Sequence, residues 1–163
     1  MKNHICCFTG HRHIPLAERS KIQKRLETEL LQLIKQGVCY FGAGGALGFD
    51  TLAALTVLRL QERHPDIQLI LVLPCRNQTR SWSKADKKIY NQIHSKANKV
   101  VYTSEYYYNG CMQKRNRHLI DNSSICICYL TKSTGGTAYT VDYAKRRGLT
   151  IINLAEKNSL PKL

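Results

Sequence analysis

Short runs of β-branched and aliphatic residues alternate along the chain with segments whose apolar positions recur every three or four residues. Residues 4–9 predict a first strand. A helix follows over about 16–36, where Ile22, Leu26, Leu30, Leu33 and Ile34 form one apolar stripe and Gly37 supplies the C-terminal stop. A second strand is expected over 38–41 and a helix rich in Leu and Ala over 50–63. Residues 67–73 are continuously apolar and end at Pro74, the pattern of a strand buried on both faces. Next come a polar helix over 83–96, a strand over 99–103 and a short basic helix over 112–121. A strand over 124–130, a helix over 137–147 stopped by Gly148, and a last strand over 150–154 complete the series.

Strand–helix alternation with short links predicts an α/β, Rossmann-like three-layer fold. Its sheet should be mostly parallel, with about six strands and helices on both faces. Ligands of such sheets bind in the crevice beyond the carboxyl ends of the strands. The length of 163 residues allows one domain, expected over 1–156 with a short polar tail over 157–163.

The glycines collect at that edge. Gly37 and Gly148 stop helices and Gly110 lies in a loop. Gly10 follows the first predicted strand, Gly42, Gly44, Gly45 and Gly48 follow the second, and Gly135 and Gly136 follow the fifth. Glycine weakens helices and strands, so three clusters at one edge imply backbone that turns tightly or approaches a ligand. Thr134-Gly135-Gly136-Thr137 opens the penultimate helix, where free N–H groups, a hydroxyl and the positive end of the helix dipole suit a phosphate. The second cluster lacks the Lys-Ser/Thr of a Walker A loop and is a poor dinucleotide fingerprint. Asp50, just after it, can cap the second helix or accept from a sugar hydroxyl.

Charge adds a second theme. There are 25 Lys and Arg against 11 Asp and Glu, a net charge of +14. Residues 76–118 hold ten of the cations and only Asp86 and Glu105 as acids, together with Trp82, Tyr90, Tyr102, Tyr106, Tyr107 and Tyr108. Cations interleaved with rings suit a nucleotide or single-stranded nucleic acid. Within the stretch, Arg115 and Arg117 open a short helix near a strand end, where a guanidinium can clamp a phosphate. The seven cysteines lack C-x-x-C spacing and mostly sit in apolar runs, so free thiols in a reducing cytoplasm are expected. No structural metal or cofactor is expected. No apolar run is long enough to span a membrane, and no secretory signal is expected from the first residues.

The motifs Thr9-Gly10-His11-Arg12, Gly44-Gly45-Ala46-Leu47-Gly48-Phe49-Asp50, Gln78…Trp82…Tyr90, Lys114-Arg115-Asn116-Arg117 with Asp121-Asn122-Ser123, and Gly135-Gly136-Thr137 occur in this order. Together they resemble the SLOG superfamily, and within it the YpsA-like branch. The resemblance implies a Rossmann-like fold that binds nucleotides or their derivatives, commonly as a homodimer or higher homo-oligomer. The related Lonely Guy phosphoribohydrolases have Met-x-x-Arg, matched here by Met112 and Arg115. They also carry a glutamate after their Gly-Gly motif, where this chain has Thr140. A hydroxyl cannot do the work of that carboxylate. Arg115-Asn116-Arg117 is also similar to the Arg-Asn-Arg of DprA proteins.

The leading expectation is a nucleotide-binding sensor or sequestering module, with no catalytic residue assigned. Gly135, Gly136 and Thr137 would hold phosphate and Arg12 and Arg115 would neutralise it. Gly44, Gly45 and Asp50 would contact the ribose, with Gly48 beside them in the same ligand-binding set, and Trp82 or a nearby Tyr would stack on the base. Thr9, Gly10, His11 and Asn116 complete the expected site, His11 as a ligand contact or a turn residue. The alternatives are a nucleoside-monophosphate glycosidase using Asp50 or Asp142, and a single-stranded nucleic-acid binder. No membrane partner is expected.

Overall fold

Strands and helices alternate without interruption in the computed structural model, which describes residues 4–156. The expected tail over 157–163 lies outside the described residues. The order is β1 (Ile5–Gly10), α1 (Leu16–Lys35), β2 (Tyr40–Ala43), α2 (Phe49–Gln61), β3 (Gln68–Leu73) and α3 (Lys84–Lys96), then β4 (Lys99–Tyr102), α4 (Cys111–Asp121), β5 (Ile125–Tyr129), α5 (Gly136–Arg146) and β6 (Thr150–Asn153). The six strands form one all-parallel sheet in the order β4-β3-β2-β1-β5-β6. The Rossmann-like three-layer expectation holds.

Alternation along the strands divides the core into two layers. Cys6 and Phe8 of β1, Leu69, Leu71 and Leu73 of β3, and Ile127 of β5 face the apolar stripes of α1 and α2 and Ile93 of α3. Cys7, Val72, Cys126 and Cys128 point the other way, against Leu119 and Ile120 of α4 and Val141 and Ala144 of α5. All seven cysteines are free thiols, and all but Cys39 are buried. A thiol serves there as a small apolar group. Among the described residues, no helix is long and apolar enough to cross a membrane.

Three local expectations need correction. The second strand runs two residues later than predicted, because Val38 N–H is taken by Leu33 C=O at 3.0 Å as α1 ends. Gly42 therefore lies inside β2, paired with Cys7 and Ile70, and not in the loop after it. It is glycine because Leu119 packs on the strand: a Cβ would sit 2.9 Å from the Leu119 methyl. Asp50 does not cap α2. The N-cap is Gly48, and Asp50 sits inside the first turn. Finally, α5 starts at Gly136, one residue earlier than predicted, with Gly135 at its N-cap.

The strand order places a reversal at the centre of the sheet. From β1 the chain winds outward through β2 and β3 to β4, then crosses back so that β5 lies on the other side of β1. The loops leaving β1 and β5 diverge there, and a crevice opens at their carboxyl ends.

Candidate functional site

A cavity of about 460 Å³ occupies that crevice. Thr9, Gly10, His11 and Arg12 enter it from the end of β1, Asp50 from α2, and Arg115 and Asn116 from α4. Gly135, Gly136 and Thr137 come from the start of α5. Ten of the fourteen expected site residues meet here. Ala46, Met112, Lys132 and Thr134 also line it and were not placed in the site from sequence. Lys132 was within reach, since it lies in the loop after β5 that carries the glycines.

One wall of the cavity is the N-terminus of α5. Tyr139 N–H makes the first bond of the ladder, to Gly135 C=O at 3.0 Å, so the N–H groups before it have no partner within the helix. No side chain caps them. Gly135 holds φ +102°, and a Cβ at Gly135 or Gly136 would meet nothing within 4 Å. These two glycines leave room in front of the helix end.

Behind this wall runs a chain of hydrogen bonds. Arg115 Nε donates to Asn116 Oδ1 at 2.7 Å, and Asn116 Nδ2 donates to Thr140 Oγ1 at 3.1 Å. Thr140 Oγ1 donates to Gly136 C=O at 2.9 Å. The chain ties the start of α4 to the first turn of α5. Thr140 is buried and its hydroxyl is spent on this tie, so the position where phosphoribohydrolases carry a glutamate is structural here. Asp142 is exposed on the outer side of α5 and pairs with Arg146 at 3.2 Å, away from the cavity.

Asp50 and Arg115 are almost fully buried, at 6% and 3% exposure. Burial pushes the Asp50 carboxyl above its ordinary range, while Arg115, the Ala46 N–H and Arg12 pull it back. Burial likewise lowers Arg115, against the attraction of Asp50. Desolvation thus outweighs mutual attraction for both. Arg115 Nη1 donates to Gly44 C=O, and Ala46 N–H donates to Asp50 Oδ2 at 3.3 Å. The pair therefore braces the glycine loop as well as lining the cavity.

Gly44, Gly45, Gly48 and Trp82 do not line this cavity. A Cβ on Gly44 would stand 2.8 Å from both Arg115 Nη1 and Asp50 Oδ2, so glycine here lets the buried pair close over the backbone. Gly45, at φ +71°, backs onto Leu73, and Gln78 Nε2 donates to its carbonyl at 2.9 Å. Gly48, at φ +78°, backs onto the main chain of Arg12, and neighbouring Phe49 N–H donates to His11 C=O at 3.1 Å. These glycines shape the loop without facing the crevice. Trp82 meets the Tyr90 ring edge-on at 5.5 Å, in a packed series of rings continuing through His94 to Tyr102. Within that series His94 Nε2 and Tyr102 Oη, 2.9 Å apart, join α3 to the edge strand β4. Tyr106, Tyr107 and Tyr108, by contrast, are exposed by 75%, 61% and 45% in the loop before α4.

His11 acts across the reversal point. Thr131 N–H donates to its Nε2 at 2.9 Å, and its ring meets Tyr129 edge-on at 5.7 Å. An Nε2 that accepts leaves the proton on Nδ1. Burial, then the nearby Lys132, lowers the His11 pKa and favours this neutral form.

An all-parallel sheet covered by helices on both faces, with a cationic, glycine-fronted crevice at its reversal point, places the molecule among the Rossmann-like α/β proteins. The model of the YspA SLOG family matches residues 6–152, and the chain belongs to that family. It is 33% identical over 149 residues to UPF0398 protein BH1768 of Halalkalibacterium halodurans, covering 90% of this chain and 77% of that protein. The SPbeta prophage-derived protein YoqJ of Bacillus subtilis is 31% identical over 139 residues, covering 77% of this chain and 81% of YoqJ. In three dimensions the chain is similar to DNA processing protein A (DprA) from Streptococcus pneumoniae, with a TM-score of 0.68 at 18% identity over 92% of this chain. DprA from Helicobacter pylori, described for its single-stranded DNA binding mode, gives 0.67 at 19% identity, again over 92% of this chain. This chain spans 50% and 64% of the length of those two proteins, and the likeness is one of fold.

Proposed function

We propose that the chain binds a nucleotide or nucleotide-derived ligand in the crevice between β1 and β5, as a sensor or sequestering module. The observation that carries this reading is the open start of α5: uncapped N–H groups behind Gly135 and Gly136 face a cavity that also receives Arg12, Arg115 and Lys132. Three cations against the single carboxylate of Asp50 make the lining net positive. Backbone N–H groups, a helix dipole and fixed cations together favour a phosphate. The volume, about 460 Å³, falls within the usual range for small-ligand sites.

The test is a thermal-shift and calorimetric screen over nucleoside mono- and diphosphates, dinucleotides and ADP-ribose-type ligands. A ligand present at 100 times its Kd raises stability by about 2.7 kcal/mol. Gly136→Val, which fills the open space, and Arg12→Ala, an exposed cation, are expected to abolish the shift in folded protein. Arg115 is a poor probe because its guanidinium also holds Gly44 and Asn116. Retention of the shift in both variants would move the site elsewhere.

Glycoside hydrolysis ordinarily uses two carboxylates, whereas Asp50 alone lines the cavity. This favours binding over cleavage. A second reading, single-stranded nucleic-acid binding, draws on the three exposed tyrosines before α4 and the net charge of +14.

A further inference from the structure

A second, larger cavity of about 840 Å³ adjoins the first. His11, Arg12 and Lys132 line both, so these residues form a shared wall and not a barrier between unrelated sites. Beyond that wall the character of the lining changes. Ile22 of α1, Tyr129 at the end of β5, and Leu154 and Ala155 after β6 provide an apolar bed, while Glu18 and Lys21 stand exposed on α1 at its side. Arg25 closes the far end. Its Nη1 donates to the carbonyls of Leu154, at 2.8 Å, and Glu156, and its buried Nε has no acceptor among the described residues.

Resting on the phosphate reading above, we infer that this larger cavity is the nucleoside subsite of the same ligand. The base lies on the Tyr129–Ala155 bed, and the phosphate passes the Arg12–Lys132 wall to reach α5. An aromatic base needs an apolar surface for its faces and both donors and acceptors for its edge. The bed supplies the first, and Arg25, Lys21 and the Glu18 carboxylate supply the second. The smaller cavity offers chiefly charge, glycine and hydroxyl, the lining of an anion. Trp82 lines neither cavity, so the base recognition expected of it from sequence passes to residues of β5, α1 and the segment after β6.

The experiment compares ribose 5-phosphate with AMP, GMP, CMP and UMP by calorimetry. In the unaltered chain at least one nucleotide is expected to bind about tenfold or more tighter than ribose 5-phosphate. Ala155→Phe, which fills the bed, and Glu18→Trp, which fills the mouth from an exposed helical position, should each remove that advantage and leave ribose 5-phosphate binding unchanged. Trp82→Ala should leave both affinities as they are. If the advantage survives both cavity-filling variants, or disappears with Trp82→Ala, the base lies elsewhere and the inference falls. Equal binding of ribose 5-phosphate and all four nucleotides overturns the subsite while the anion reading stands. No binding of ribose 5-phosphate or any nucleotide removes both.

Discussion

Thr140 and Asn116 meet side chain to side chain, and little in their identity announces it. The Thr140 hydroxyl accepts from Asn116 at 3.1 Å and donates to Gly136 C=O at 2.9 Å. Thr140→Val keeps the shape and takes the hydroxyl partner from the half-buried amide of Asn116, which should cost about 0.5–1.5 kcal/mol. For a chain of this size each kcal/mol lowers Tm by roughly 2–4 °C, so a melt without a measurable drop would contradict the tie. His11 offers a pH test. Its folded pKa is lowered, so the folded state binds fewer protons than the unfolded one. The stability it supports is complete above the unfolded value of about 6.5 and is lost as pH falls through the lower, folded value. His11→Gln can still accept from Thr131 N–H and does not titrate. The stability of the wild type relative to His11→Gln should therefore rise from pH 5 to about 6.5, then level off, and a flat difference over this range would argue against a neutral, accepting ring.

At the scale of elements, two glycine loops of similar composition have opposite jobs. After β2, glycine makes room for protein: at Gly48 a Cβ would overlap the Arg12 main chain, and φ is +78°. Before α5, glycine makes room for nothing in the protein at all. Gly48→Ala combines backbone strain with overpacking and should cost about 3 kcal/mol or more. Gly136→Ala meets open space in an ordinary helical conformation and should stay within about 0.5 kcal/mol of the wild type. Urea unfolding of the two variants checks this, and comparable losses would mean that the α5 loop is packed and not open. The element boundaries themselves were largely legible, because the stripe of Ile22, Leu26, Leu30 and Leu33 and the apolar runs of β3 and β5 have unambiguous periods. The beginning of β2 was not, since Val38 is apolar and buried yet serves the end of α1.

For the whole molecule the net charge of +14 sets the long-range field, and the exposed tyrosine run sets where a polyanion with bases would find rings. Under the nucleic-acid reading, affinity for an oligothymidylate should fall with salt at a log–log slope of about −0.7 per phosphate contacted. Alanine at Tyr106, Tyr107 and Tyr108 should lower that affinity by about 1–3 kcal/mol per stacked base and leave the slope intact. Filter or anisotropy titrations across salt decide it, and a salt-independent affinity ends this reading. Free nucleotides, by contrast, should depend on Gly136 and Arg12 and ignore the tyrosines.

Strand–helix order, the two-layered core and the edge at which the glycines gather are properties the sequence alone determines, because each follows from local period and composition. Ten of the fourteen residues expected at the site do line the crevice, since the rule that loops at strand ends carry ligands depends only on that order. Which glycines border the open crevice and which face Arg12, Leu73 or the Asp50–Arg115 pair was decided only in the tertiary structure. So was the loss of Trp82 to packing and the appearance of a second cavity beneath Tyr129. The direction in which a Cα presents its missing or present side chain depends on contacts between segments far apart in sequence, and local pattern carries no record of them.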